Sequence, residues 1–249
     1  MRHALAPLPY NYTALQPWID EHTMHIHYDC HHQACVDALN RVEARLAAAR
    51  PPAAPQTDFL LIRYLQELAA VYAAEHLLHC LYWENMGPGQ GGQPRDELAD
   101  QIAQDFGSFA AFKSQFYGAA TSLDAGGWAA LVWQADRRQL AIVATESPRP
   151  HAATAGGALL VLDMCEHAYY LRYQNRRGEY AYNWWNIVNW SCVARRFAAA
   201  TSPRPRATAS RAAQPFASGR RYRDVPTTTA GHEDSEPRVL EPAPAAGVR

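Results

Sequence analysis

The sequence has few cysteines, no long apolar run and almost no net charge, and each lack argues against a class of protein. Five cysteines in 249 residues are sparse and odd in number, so we expect reduced thiols, not a disulfide framework. Nowhere do about 18 apolar residues follow one another, which argues against a transmembrane helix. The formal net charge of −1 does not favour nucleic acid or a membrane surface as a partner. The first residues lack the apolar core of a secretory signal, so we predict an unexported, cytoplasmic protein.

Two stretches near the N-terminus predict a long antiparallel α-hairpin. The first runs from about Thr23 to Arg50 without proline. The prolines of RPPAAPQTD end it, and Thr57 or Asp58 can cap a second helix that continues to about Trp83. Side chains that recur every three or four residues form the predicted inner stripe of the first helix. They are His27, His31, Ala34, Ala38, Val42 and Leu46.

The inner face of the second helix carries a carboxylate and an imidazole among leucines. Glu75 and His79 lie four residues apart, so they share one face of the helix. Polar groups on a buried face need partners. The other members of this face are Leu61, Leu65, Leu68, Tyr72 and Tyr82.

Beyond the hairpin the pattern becomes mixed. Residues 95–117 predict helix, 128–145 predict two short strands around a polar turn, and 157–163 predict a third strand. Two further helical stretches are predicted at 166–176 and 179–199. The fold class is therefore α+β, with a small antiparallel sheet of three strands.

A glycine- and proline-rich linker, ENMGPGQGGQP, separates the two patterns. Placing a boundary within it gives an N-terminal helical-hairpin domain over 1–88 and a C-terminal α/β domain over 89–200. The last 49 residues hold seven of the 17 prolines and almost no large apolar side chains. Such a segment cannot bury enough surface to offset its ordering entropy, so 201–249 is predicted to be a disordered tail.

Histidine and aspartate occur in apolar surroundings on three predicted elements. Each residue taken alone fits a hydrogen-bonded core residue or a helix cap. Two facing helices would nevertheless turn His27 and His79 inward, while Asp163 ends a buried strand and His167 follows one turn later. Three imidazoles and one carboxylate suit Mn or Fe, with an open position for a small ligand.

Eight stretches, in order along the chain, carry a resemblance to a known family. They are LPYNYTALQPWID, IHYDCHHQ, HCLYW, GGQP, DFGSFAAFK, GGWAALV, DMCEHAYYLRYQNRRGEY and WWNIVNW. From about Leu5 to Ala198 the chain resembles the iron/manganese superoxide dismutases. The resemblance implies the fold predicted above, one Mn or Fe ion per subunit between the domains, and conversion of superoxide to dioxygen and hydrogen peroxide.

The resemblance also implies roles for individual residues. The ligands would be His27, His79, Asp163 and His167, with water or hydroxide as a fifth. His31 matches a histidine at the substrate entrance, Trp128 a tryptophan of the active-site wall, and Arg176 a cation that would attract superoxide. Residues that in the family reach the partner subunit are matched by Glu166 and Tyr170, which implies a homodimer and leaves a tetramer open.

Three positions depart from the family pattern. Most members present a glutamine to the metal-bound solvent, but the helix position is Glu75 here and the loop VATESPRP has no glutamine. A buried Glu75 carboxyl could stay protonated and donate as an amide does, or ionise and only accept. Cys35 replaces the entrance tyrosine and Cys165 a wall tryptophan, which predicts a wider pocket with an altered proton supply.

These departures leave two functions open. One is an active superoxide dismutase with Mn or Fe. The alternative is a metal-binding relative with reduced or no dismutase activity, acting as a thiol redox sensor or metal-binding scaffold. Cys35 and Cys165 would be small packing groups in the first case, and would form a disulfide or a sulfenic acid in the second.

Overall fold

Antiparallel helices form the N-terminal part of the chain, as predicted. The computed structural model describes residues 2–49, 58–146 and 157–202. The second helix begins where its predicted cap lies, because the Asp58 side chain accepts a hydrogen bond of 2.9 Å from the Leu61 backbone N–H. The helices are α1 (Glu21–His25), a π-helical turn (Ile26–His32), α2 (Gln33–Ala48) and α3 (Phe59–Glu84).

The π turn changes which face of the first helix is buried. A π turn closes with i→i+5 hydrogen bonds, so it holds more than 3.6 residues and rotates the residues that follow. His31 and Ala34, predicted on the inner stripe, are exposed, whereas His32 and Val36 are buried. The predicted stripe is therefore wrong at His31 and Ala34, although His27 and the positions from Ala38 onward are buried.

The C-terminal part contains the predicted three-stranded antiparallel sheet surrounded by helices, which confirms the α+β class. The helical region predicted at 95–117 consists of two helices, because Gly107 (φ 83°) ends the first and the Ser108 side chain caps the second. The region 179–199 is likewise divided by a 3₁₀ turn. The elements are α4 (Asp96–Phe106), α5 (Phe109–Thr121), β1 (Trp128–Gln134), β2 (Gln139–Thr145), β3 (Ala158–Asp163), a 3₁₀ turn (Glu166–Ala168), α6 (Tyr170–Tyr173), α7 (Arg177–Asn183), a 3₁₀ turn (Trp184–Ile187) and α8 (Trp190–Thr201).

Two predictions stay open at this stage. The domain boundary at 88/89 remains a prediction. The disordered tail predicted over 201–249 lies outside the described residues, apart from 201 and 202 at the end of α8. Within the described ranges, none of the helices has both the length and the apolar character that crossing a bilayer requires.

The sheet places Trp128 beside Asp163. Its strand order is β2-β1-β3, and the first residue of β1 is directly opposite the last residue of β3 in the antiparallel register. Gly127 allows the start of β1 to lie close to the end of β2, because a Cβ at this position would clash with the Thr145 carbonyl oxygen. All six residues of β3 are buried, so the sheet delivers a carboxylate into the interior.

The side chain of Asn85, just after α3, ties the hairpin to β3. It is fully buried, donates to the Leu159 carbonyl oxygen at 3.0 Å and accepts from the Val161 backbone N–H at 2.9 Å. Because Asn85→Ala leaves two buried strand groups without partners, we expect it to lower the free energy of unfolding by about 3 kcal/mol. Urea unfolding of metal-free protein measures this loss.

A matched control is Asn186→Ala. Asn186 is exposed, and its side chain donates to a neighbouring carbonyl oxygen, that of Asn183, at 2.9 Å. Its loss should change the unfolding free energy by at most about 0.5 kcal/mol. Equal effects of the two substitutions would contradict the linking role of Asn85.

Candidate metal centre

Four side chains from three regions converge at the end of β3. His27 comes from the π turn, His79 from α3, Asp163 from the last position of β3 and His167 from the 3₁₀ turn that follows. Their ligand atoms all lie within 4.8 Å of one another. The distance from Nε2 to Asp163 Oδ2 is 3.1 Å for His27, 3.8 Å for His79 and 3.0 Å for His167.

The residues present fit a metal ion. The Nε2 atoms of His27 and His79 are buried, and each lacks a hydrogen-bond partner in the described part of the chain. Buried polar atoms are normally satisfied, so these two nitrogens call for a ligand that accepts their lone pairs. Ligand atoms about 2.1 Å from one ion and about 90° apart are about 3.0 Å from each other. The separations of His27 Nε2 and His167 Nε2 from Asp163 Oδ2 are close to that value, and that of His79 Nε2 is longer, at 3.8 Å.

A backbone hydrogen bond fixes which nitrogen of His79 faces the cluster. His79 Nδ1 lies 2.8 Å from the Glu75 carbonyl oxygen, which can only accept. The proton is therefore on Nδ1, and the Nε2 lone pair points toward Asp163. An acceptor behind the ring is the usual means of fixing the tautomer and basicity of a metal-binding histidine.

The electrostatics of the cluster favour the metal-binding protonation states of Asp163, His27 and His79. Burial alone would raise the pKa of Asp163, but the charge of His167 and the hydrogen bond of 3.0 Å from His167 Nε2 hold that pKa well below its usual range. Burial lowers the pKa of His27 to about 4 and holds that of His79 well below 6.5. Ionised carboxylate and neutral imidazole are the forms that coordinate a metal.

The fourth ligand candidate, His167, is less buried than the others. Burial would lower its pKa, but the carboxylate of Asp163 outweighs this effect and raises it. The ring of His31 stacks on it with centroids 4.2 Å apart and planes 21° apart. The structure therefore brings the predicted entrance histidine against a candidate metal ligand.

Trp128 and Glu75 form the wall on the side of His79. The Trp128 indole N–H donates to Glu75 Oε2 at 3.2 Å, and its ring meets His79 edge-on at 5.0 Å. Burial, together with the charge of Asp163, raises the pKa of Glu75 to about 7. Glu75 thus lies where the sequence predicts it, beside the site, with an indole as hydrogen-bond partner.

Both cysteines predicted to line the site are present there as free thiols. Cys35 Sγ, a Glu75 carboxylate oxygen and a His79 ring nitrogen lie within 4.8 Å of one another, and the Cys165 backbone N–H donates to Asp163 Oδ1 at 2.9 Å. Burial raises the pKa of Cys35 to about 11 and raises that of Cys165 further above its usual value. A protonated thiol is a poor nucleophile, which favours packing groups over redox sensors.

The remaining predicted residues are on the surface of the chain. Glu166 is exposed next to His167, and Tyr170 is 47% exposed. Arg176 donates from Nε to the exposed carboxylate of Glu179 at 2.8 Å. Its charge is therefore paired, and its part in attracting superoxide stays a prediction.

Two buried tyrosines contact the site and were not predicted from the sequence. The Tyr180 hydroxyl donates to the Asp163 carbonyl oxygen at 2.9 Å, and the Tyr82 hydroxyl lies 2.9 Å from that of Tyr180. The periodicity of the second helix indicates Tyr82 only as part of an apolar face. Spacing in the sequence gives no signal for Tyr180, because the contact depends on how α7 packs against the end of β3.

Fold and site together define a metal-binding α+β protein. Two family models match the chain: the α-hairpin domain of iron/manganese superoxide dismutases over residues 2–87, and the C-terminal domain of the same family over residues 94–196. The chain therefore belongs to the iron/manganese superoxide dismutase family.

Individual relatives are similar over most of their length. "Superoxide dismutase [Mn/Fe]" of Propionibacterium freudenreichii subsp. shermanii is 40% identical over 200 residues, covering 80% of this chain and 98% of the relative. "Superoxide dismutase [Fe]" of Pyrobaculum aerophilum is 42% identical over 197 residues, covering 78% and 92%. "Superoxide dismutase [Mn] 1" of Leptolyngbya boryana is 40% identical over 206 residues, covering 79% and 81%. The names of these relatives include both metals.

Proposed function

We propose that this chain is a superoxide dismutase that converts superoxide to dioxygen and hydrogen peroxide with one Mn or Fe ion per subunit. The observation that carries the proposal is the convergence of His27, His79, Asp163 and His167, with two buried nitrogens that lack partners. Relatives named as superoxide dismutases with Fe, with Mn or with either support it. These relatives are about equally similar to this chain but are named for different metals, so the proposal includes both Mn and Fe.

A bound Mn or Fe ion would supply one-electron redox chemistry, accepting an electron from one superoxide and returning it to a second. The chain's own residues hold that site in a defined state. Asp163 supplies the single negative charge among three imidazoles, and the Glu75 carbonyl oxygen fixes the ring of His79. The buried indole of Trp128 excludes water from one wall, while the stacked rings of His31 and His167 mark the side that is open to solvent.

The experiment that tests the proposal is superoxide consumption by protein of measured Mn or Fe content. A rate that rises in proportion to bound metal supports a dismutase. Background rates for the fully Mn-loaded and for the fully Fe-loaded protein would together favour the metal-binding relative without activity. Peroxide treatment followed by mass spectrometry tests its sensor form, for which Cys35 and Cys165 must become oxidised.

Glu75 is the departure from the family pattern with the clearest expected effect on rate. Above pH 7, where the Glu75 carboxyl with its pKa of about 7 is mostly ionised, Glu75→Gln keeps an acceptor for the Trp128 N–H and removes a negative charge beside a site that takes an anion. We expect kcat/KM for superoxide to rise about threefold at low salt and by less at high salt, because salt screens the charge. Steady-state rates per bound metal measure this change.

The control is Glu97→Gln, which removes an exposed carboxylate on α4. It should leave kcat/KM unchanged at both salt concentrations. A fall in rate with Glu75→Gln would contradict the electrostatic argument and indicate that the Glu75 carboxyl supplies a proton.

The homodimer predicted from the sequence is part of the proposal. Two neighbouring side chains, Tyr170 and Leu171, are 47% and 44% exposed, and they follow the exposed Glu166 beside the candidate ligand His167. We expect Tyr170→Asp to shift the chain toward monomer, because an interface core disfavours a buried charge. Sedimentation velocity measures this shift, and an unchanged dimer would place the interface elsewhere.

We also propose the cytoplasm as the compartment. All five cysteines are free, which is typical of proteins in a reducing environment. Fractionation of the source cells tests this placement.

A further inference from the structure

A hydrogen-bonded chain of three side chains lies behind the candidate metal centre. The Trp83 indole N–H donates to His32 Nδ1 at 3.1 Å, and His32 Nε2 is 2.8 Å from His76 Nδ1. An indole nitrogen can only donate, so His32 Nδ1 carries no proton and His32 is neutral with its proton on Nε2. The chain therefore has one direction: Trp83 donates to His32, and His32 donates to His76.

The same direction argues against a second metal site at this place. His32, His76 and Cys80 have ligand atoms close enough together to hold an ion. Binding would need the lone pair of His32 Nε2, but that nitrogen carries the proton donated to His76 as long as Trp83 donates to Nδ1. The cluster is better explained as a hydrogen-bonded support.

The chain supports two of the candidate ligands. The ring of His32 stacks on His79, with centroids 4.8 Å apart and planes 12° apart. The ring of Trp83 meets His27 edge-on at 4.7 Å with planes 68° apart. His27 and His32 belong to the π turn, whereas His79 and Trp83 belong to α3. Each helix thus provides one ligand and the aromatic ring that packs on the ligand of the other helix.

We propose that Trp83, His32 and His76 are positioning residues that hold the rings of His27 and His79 in the orientation needed for metal binding. The Trp83–His32 hydrogen bond joins the two supporting rings, and His76 fixes the outer end of His32. The rings of His27, His32, His79 and Trp83 are buried. Rotation of the His32 or Trp83 ring would therefore break its packing on a candidate ligand and the hydrogen bond between the two rings. The inference rests on the proposed metal site and adds residues that do not coordinate the ion.

His76 is the best residue at which to test the hydrogen-bonded chain. It is only partly buried, so its replacement should not disturb the packing of the buried rings. His76→Leu removes the acceptor of the His32 N–H, whereas in His76→Asn the Oδ1 atom takes the place of Nδ1. For Mn-loaded protein, we expect His76→Leu to speed transfer of Mn to a chelator about fivefold and to change the Mn(II) electron paramagnetic resonance spectrum. His76→Asn should retain both wild-type values.

A second test variant and a control variant distinguish the hydrogen-bonded chain from general effects of substitution. Trp83→Phe keeps the ring against His27 and removes the donor, so it should change release and spectrum as His76→Leu does. Cys80→Ala alters a neighbour of the chain, with Sγ 3.7 Å from His76 Nδ1, and should change neither. The unfolding midpoint of each metal-free variant records effects on stability alone.

The inference is overturned if His76→Leu lowers that midpoint while release rate and spectrum stay as in wild type, or if His76→Asn behaves like His76→Leu. Failure of the wild-type chain to bind Mn or Fe is a different result, because it refutes the proposed function itself.

Discussion

Asp163→Asn is expected to reduce superoxide consumption to the uncatalysed background and to leave the purified chain nearly free of Mn and Fe. The side chain is fully buried, and all three candidate imidazoles lie within 3.8 Å of its Oδ2 atom. Removing its charge leaves only neutral ligands for a cation. Loss of an outer hydrogen-bond partner alone lowers metal affinity by about 10- to 100-fold, so loss of the only carboxylate should exceed about 100-fold.

The substitution is nearly isosteric, so its effect should be on the metal and not on the fold. An asparagine Oδ1 can still accept from the Cys165 N–H, as Asp163 does at 2.9 Å. Asp136→Asn, in the exposed turn between β1 and β2, is the matched control and should retain wild-type metal content and rate. Metal analysis and superoxide consumption measure both variants, and a full metal content in Asp163→Asn would refute the assigned ligand.

Removing the metal is expected to lower the unfolding midpoint by about 10 °C. The four candidate ligands belong to the π turn, α3 and the end of β3 with its following turn, so an ion links the hairpin to the sheet. A ligand at about 1,000 times its dissociation constant stabilises the native state by about 4 kcal/mol. In a chain of this size that corresponds to about 10 °C.

Scanning calorimetry of metal-loaded and chelator-treated protein measures the shift. Asp163→Asn provides the control, because its midpoint should not respond to added Mn. Equal midpoints for loaded and metal-free wild-type protein would show that the ion does not connect these elements.

The hairpin, the sheet and the cluster could be predicted because local patterns determine them. Proline-free helical periodicity gives the two long helices, and the sequence offers Thr57 or Asp58 as the cap of the second. Three short apolar runs give the strands, and the last of them ends in Asp163. His27 and His79 follow from the inward faces of two facing helices, and His167 from its place one turn after the strand.

The π turn and the contacts that depend on it could not be predicted. A period of 3.6 residues places His31 inward, but the wider turn exposes it and buries His32 instead. The i→i+5 hydrogen bonds at Ile26–His32 leave no mark in the local periodicity. The local pattern places Trp83 at the end of a helix and gives no sign that its indole contacts His27 and donates to His32.

The most direct test of the account is superoxide consumption per bound metal ion, measured on the wild-type chain loaded with Mn and, separately, with Fe. The account predicts a rate that rises in proportion to metal content for at least one of the two metals and falls to background in Asp163→Asn. Background rates for the fully loaded chain with both metals would contradict it.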